Sequence, residues 1–136
     1  MEKKFDFNNE LSGKIALVTG GTKGAGKAIA ERLLLGGATV IVTARNKPEV
    51  TTEGLHFISA DLSKPEGTQH VVKEVLSAFG RLDVLINNLG GSETPGGGFA
   101  ALSNEDWEDG IQTKLLGSVR LDRGFLPQMI EQGHGV

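Results

Sequence analysis

Short apolar runs alternate along the chain with longer segments of helical period. Ile15-Ala16-Leu17-Val18 is continuous, largely β-branched or aliphatic, and followed at once by glycines. That is the pattern of a strand covered on both faces in a parallel sheet. From Lys27 the spacing turns helical, with Ile29 above Leu33 and Ala30 above Leu34, and Gly36-Gly37 supplies the stop. Thr39-Val40-Ile41-Val42-Thr43 predicts a second buried strand and Leu55-His56-Phe57-Ile58 a third. Between them, Asn46 to Gly54 with Pro48 carries no helical pattern. Ser63-Lys64-Pro65-Glu66 has the spacing of a capping box with proline in the first turn. It opens a helix whose Val71, Val72, Val75, Leu76 and Phe79 share a face, ended by Gly80. Leu82-Asp83-Val84-Leu85-Ile86 predicts a fourth strand. Ser103 and Asp106 cap a long last helix carrying Trp107, Ile111, Leu115, Val119 and Leu126.

Strands alternating with helices imply right-handed crossovers and an α/β, doubly wound parallel sheet. The natural spatial order is 3-2-1-4, with the winding reversing between strands 1 and 4. Ligands bind at such a reversal, beyond the carboxyl ends of the two strands. Two glycine clusters point there: Gly20, Gly21, Gly24 and Gly26 after strand 1, and Gly90, Gly91, Gly96, Gly97 and Gly98 after strand 4.

Composition narrows the chemistry. The 136 residues contain no cysteine and no tyrosine, which excludes disulfides, zinc-thiolate sites, a cysteine nucleophile and a tyrosine acid within this chain. The net charge of -3, with no basic stripe, speaks against nucleic acid and anionic lipid as partners. His56, His70 and His134 lack carboxylates at ligand spacing, so no metal site is expected. No apolar run reaches membrane-spanning length, and Met1-Glu2-Lys3-Lys4-Phe5-Asp6 has no signal-peptide core. We therefore expect a cytoplasmic protein with a solvated arm over residues 1–12 and one domain over 13–136.

The loop Thr19-Gly20-Gly21-Thr22-Lys23-Gly24-Ala25-Gly26 joins a strand to a helix, where bare backbone can approach a pyrophosphate. Gly21-x-x-x-x-Gly26-Lys27 also fits part of the phosphate loop of nucleoside triphosphatases. That alternative requires Ser or Thr next, where Ala28 stands, and an acidic residue where Asn87 stands. A dinucleotide site that takes NAD places a carboxylate at the end of strand 2. This chain places Arg45 there and Lys23 in the loop. A guanidinium grips a 2′-phosphate that a carboxylate would repel, so NADP is expected over NAD.

With these elements the chain resembles the short-chain dehydrogenase/reductase family. The resemblance is carried by Thr19-Gly20-x-x-x-Gly24-x-Gly26, Asp61-Leu62 and Asn87-Asn88-Leu89-Gly90, and continues through Trp107 into the last helix. It implies a Rossmann-like fold and hydride transfer between a nicotinamide cofactor and a small hydroxyl or carbonyl compound. Cofactor contacts would come from Gly20, Thr22, Lys23, Gly24, Ala25 and Arg45. By the same resemblance Asp61 would accept from the adenine amino group beside the Leu62 backbone, and Asn88, Leu89 and Gly90 would line the nicotinamide ribose. Asn87 would help fix the central sheet, and Ser92 to Phe99 would border the pocket.

Two departures from the family pattern are visible. Leu89 replaces the usual alanine, and Lys114 occupies the position of the catalytic asparagine. The family's Ser and Tyr-x-x-x-Lys follow a fifth strand, which Gly133-His134-Gly135-Val136 only approaches. The domain is thus read as cut off before that strand, binding cofactor but inactive alone. A non-catalytic NADP-binding module and a triphosphatase remain the alternatives. Gly110, Gly117 and Gly124 recur every seven residues, a spacing that permits close helix packing, and a homo-oligomer is expected.

Overall fold

The computed structural model describes residues 8–90 and 94–136. Its elements run β1 (Ile15–Thr19), α1 (Gly24–Leu35), β2 (Thr39–Ala44), β3 (Leu55–Ser59), α2 (Pro65–Phe79), β4 (Val84–Ile86), α3 (Asn104–Gly110) and α4 (Gly117–Gln132). A short 3-10 turn, Phe99–Ala101, precedes α3, and a π-helical stretch, Ile111–Leu116, joins α3 to α4. The four strands form one sheet in the order β3-β2-β1-β4, all parallel. The doubly wound topology is therefore present, with its reversal between β1 and β4.

Alternation along the strands divides the apolar residues between two layers. Leu17 and Ile41 face α2 and α4, packing with Val71, Val75, Leu82, Leu121, Phe125 and Met129. Val18, Val40 and Val42 face α1 and pack on Ala30. Such two-sided cover is why β1 and β2 read as unbroken apolar runs. The connection from β2 to β3 contains no helix, as its polar sequence with Pro48 implied.

Several local expectations change. Residues 8–12 are mostly exposed but tied to the domain: Leu11 packs under the end of α1, its amide donates to the Gly36 carbonyl at 2.7 Å, and Glu10 pairs with Arg32. Met1–Phe7 lie outside the described residues. Ser63 does not cap α2. With Pro65 opening the helix, the cap position falls on Lys64, and the Ser63 hydroxyl turns back to donate to Asp61 Oδ1 at 2.6 Å. The Ser103–Asp106 box forms as expected.

The last helix carries apolar residues on two faces, only one of which is covered. Trp107, Ile111, Leu115, Val119 and Leu126 are exposed, while Gly117, Leu121, Phe125 and Met129 form the buried stripe. Gly124 lets α4 close on α2: a Cβ there would come within 2.5 Å of Val72 Cγ2. Gly110 has open space around it, so the seven-residue glycine repeat serves packing within the chain at Gly117 and Gly124 rather than forming one continuous seam.

The fourth strand begins later than expected, at Val84, and Asp83 before it bonds through its side chain as well as its main chain. This carboxylate is 3 % exposed, accepts the Ile15 amide at 2.8 Å, and is met by Arg81 Nε at 3.2 Å. Leu82 is tied to α4 through Gln128 and Gln132. On the outer side of β4, Val136 donates to the Asp83 carbonyl and accepts from the Leu85 amide, the hydrogen-bond pattern of a parallel neighbour.

Candidate functional site

The crevice lies where the winding reverses, between the glycine loop after β1 and the Asn88-Leu89-Gly90 segment after β4. Two residues, Thr19 and Asn88, build its floor. Thr19, fully buried at the end of β1, donates its hydroxyl to the Ile86 carbonyl at 3.2 Å and accepts the Asn88 amide at 2.9 Å. The Asn88 side chain donates to the Thr19 carbonyl at 3.2 Å and the Gly20 carbonyl at 3.4 Å. This stitching belongs to Asn88, whereas Asn87, expected to fix the sheet, donates instead to Asp122 of α4 at 2.9 Å.

The glycines are needed for different reasons. Gly20 has φ +61° and leaves its absent Cβ 2.9 Å from the Asn88 carbonyl oxygen. Gly21 packs on Val42, and Gly26 passes so close to Gly20 that a side chain there would overlap its carbonyl. Gly24, at φ +56°, borders open space at the start of α1. The α1 N-terminus has no side-chain cap and no acidic residue in its first turn. Its amides consequently face outward as donors beside a positive helix end, a setting that suits an anion.

Thr22 is half-buried, and Lys23, Gly24 and Ala25 are exposed on that lip. Arg45 is exposed just beyond β2. Its carbonyl accepts the Ser59 hydroxyl at 2.7 Å. Asp61, exposed after β3, is held below its ordinary pKa of 3.8. The Ser63 hydroxyl is the main cause, joined by the Ser63 amide and the positive charges of Lys64 and Arg45. Arg45 and Asp61 follow the paired strands β2 and β3 at the same end of the sheet.

Leu62 is buried in the core, leaving only its backbone toward the site. Leu89 also packs against that core, and its Cδ1 lies 3.0 Å from the place a Cβ on Gly117 would take. The larger side chain is accommodated because α4 offers a glycine opposite it. Gly90 is exposed, and Gly91, Ser92 and Glu93 lie outside the described residues. Lys114 is exposed within the π-helical stretch and is not among the groups lining the crevice floor; its carbonyl accepts the Ser118 hydroxyl at 3.2 Å.

A small apolar hollow of about 20 Å³ lies behind the glycine loop, bordered by Gly21 and Thr22 and by Val42 and Phe57 under the β2–β3 connection. A wider groove of about 460 Å³ separates α2 from α4 and is rimmed by Lys73, Arg120 and Arg123. The groove lies apart from the glycine loop, whereas the small hollow shares Gly21 and Thr22 with it. Among the described residues no group of acidic, histidine or cysteine side chains is placed to hold a metal, and no helix is long and apolar enough to cross a membrane.

Sequence reasoning missed Thr19 and Asp83 as structural groups. Each is a polar residue bordering an apolar run, where strand and turn residues look alike.

Known proteins share this arrangement. A family profile described as short chain dehydrogenase matches residues 14–136. The chain is 37 % identical over 134 residues to the uncharacterized oxidoreductase YvrD of Bacillus subtilis, covering 93 % of this chain and 50 % of that protein. It is 34 % identical over 131 residues to the 3-oxoacyl-(acyl-carrier-protein) reductase FabG of Escherichia coli, covering 92 % and 53 %. The chain therefore spans about half the length of these relatives. A metagenomic short-chain oxidoreductase solved in complex with NADP superposes with a TM-score of 0.85 at 34 % identity, over 93 % of this chain and 60 % of that one. The L-sorbose reductase of Gluconobacter frateurii, complexed with NADPH and L-sorbose, gives 0.81 at 31 %, over 94 % and 52 %. The 136-residue chain belongs to the short chain dehydrogenase family.

Proposed function

We propose that these residues form the cofactor-binding part of an NADP-dependent oxidoreductase acting on a small hydroxyl or carbonyl compound. The carrying observation is the pairing of an uncapped helix N-terminus, reached through Gly20, Gly24 and Gly26, with exposed Lys23 in the loop, exposed Arg45 just past β2 and no carboxylate at the end of β2. The donor set fits a dinucleotide: loop amides for the pyrophosphate, cations for a 2′-phosphate, and an ionised Asp61 for the adenine amino group. Asn88, Leu89 and Gly90 follow on the nicotinamide side. When bound, that group supplies the hydride. The residues of this chain bind it, orient it and discriminate between its two forms.

The chain contains no tyrosine, the family's proton donor. Proton transfer by a positioned group contributes about 10²–10⁴-fold. The 136 residues alone therefore bind NADP without reducing a carbonyl. We further propose self-association, for which the exposed Trp107, Ile111, Leu115 and Val119 stripe is the support.

Calorimetric titration of the purified chain with NADP and NAD, alongside a carbonyl-reduction assay, tests the reading. Expected is measurable, NADP-selective binding with no turnover; turnover overturns the inactivity, and equal binding of both nucleotides overturns the cofactor preference. Sedimentation at several concentrations tests the self-association.

A further inference from the structure

We propose that Ser59 is a positioning residue for Arg45 and thereby sets the preference for the phosphorylated nucleotide; the proposal rests on the reading of Arg45 as the 2′-phosphate grip. The β2–β3 ladder ends at the pair Ala44 and Ser59. Beyond it the main chains still meet once, through the Ala60 amide and the Ala44 carbonyl at 3.0 Å. Ser59 then adds a tie that no backbone group supplies: its hydroxyl donates to the carbonyl of Arg45 itself at 2.7 Å.

The location gives this bond its effect. Arg45 is the first residue past β2, and no helix follows to hold the connection running to β3. The peptide plane leaving Arg45 is held by that hydroxyl, which restricts the main chain from which the guanidinium extends. Asp61, two residues beyond Ser59, follows the neighbouring strand at the same end of the sheet, and the Arg45 charge is among the influences that lower its pKa. Ser59 is itself exposed and fills no space in the core, so its hydroxyl can be removed without opening a cavity. Losing one hydrogen bond frees Arg45 to leave the phosphate, a loss felt by NADP and not by NAD, which has no 2′-phosphate to release.

The test is calorimetric titration of the full 136-residue chain with NADP and NAD, for wild type, Ser59→Ala, Ser59→Thr, Arg45→Ala and the double variant Ser59→Ala/Arg45→Ala. Expected is a loss of about 3- to 10-fold in NADP affinity for Ser59→Ala, the scale of one hydrogen bond, with NAD binding unchanged. Ser59→Thr, which keeps a hydroxyl on a strand-compatible side chain, restores NADP binding. Adding Ser59→Ala to Arg45→Ala changes nothing further, because the two act as one unit. If Ser59→Ala leaves NADP binding intact while Arg45→Ala weakens it, the positioning role is wrong and the Arg45 reading stands. Equal weakening of both nucleotides by Ser59→Ala makes the role merely structural and overturns the proposal. If Arg45→Ala leaves the ratio of the two affinities unchanged, the Arg45 reading itself falls, and the proposal with it.

Discussion

Gly26 stands against Gly20 with no space for a side chain between them: a Cβ on Gly26 would overlap the Gly20 carbonyl oxygen and the Asn88 side-chain amide. One substitution there disturbs both lips of the crevice. Gly26→Ala is expected to destabilise the fold by roughly 1–3 kcal/mol, the usual range for overpacking. Because the displaced groups are those that shape the loop, nucleotide binding should fall further than stability does. Thermal unfolding with and without NADP checks this: the variant should lose most of its ligand-induced rise in Tm.

Arg45→Ala should remove about 1.5–3 kcal/mol of NADP binding, the scale of a hydrogen bond to a charged group, and leave NAD untouched. That amounts to roughly a 10- to 100-fold loss for one nucleotide only. Lys23→Ala should act in the same direction and by less, since a single ammonium cannot match a two-pronged guanidinium. Fluorescence or calorimetric titration at fixed salt decides both.

Asp83 is the buried carboxylate among the described residues, and its removal strands the Ile15 amide and leaves Arg81 with the Gly13 carbonyl but no ion-pair partner. Asp83→Ala should cost about 3 kcal/mol. The midpoint in urea should move down with little change in slope, whereas a surface change such as Glu74→Ala should not move it measurably.

Two glycines on one helical path should respond with opposite signs. Gly110 borders open space, so Gly110→Ala should stabilise by about 0.5–1 kcal/mol through helix propensity. Gly124→Ala gains the same propensity but meets Val72 Cγ2 at 2.5 Å, on a branched side chain with little rotational freedom. A net loss of about 1–2 kcal/mol is expected. If both variants behave alike in urea, the close approach of α4 to α2 is not what Gly124 provides.

The pH response of Asp61 has a definite sign. Its folded pKa lies below the ordinary 3.8, chiefly through the Ser63 hydroxyl. The ionised form is thus the one favoured by folding, and its contribution is complete above 3.8 and lost as pH falls through the folded value. Since Asp61 is exposed, solvent screening keeps the effect under about 1 kcal/mol. Wild type and Asp61→Asn should differ in urea midpoint above pH 3.8 and converge as the pH is lowered through the folded value. A constant gap would assign the effect to geometry instead of charge.

The sheet and its order were legible because β1 and β2 are covered on both faces, which writes continuous apolar runs into the sequence. The glycine loop was legible because backbone contact and positive φ leave few other residue types to choose from. The covered face of the last helix was not legible, for a physical reason. This helix carries apolar residues on two faces, and the π-helical stretch shifts the angular phase between Trp107 and Leu121, so spacing alone cannot say which face is covered. Ser63 misled because a serine one position before the cap can serve an aspartate as readily as a helix. Asp83 and Thr19 were missed because each replaces a backbone partner with a side-chain atom, a substitution that hydrophobic periodicity does not register.

Thr19 joins two strand ends with one oxygen atom, bonding Ile86 on one side and Asn88 on the other, just where the three paired residues of β1 and β4 run out. The gap between these ends is consequently clamped at a set width before any guest arrives. An incoming nucleotide then has no need to pry open or organise its seat, and the entropy that such ordering would consume is already spent in folding. Thr19→Val, matching it in shape but lacking the oxygen, would be the way to see that seat loosen.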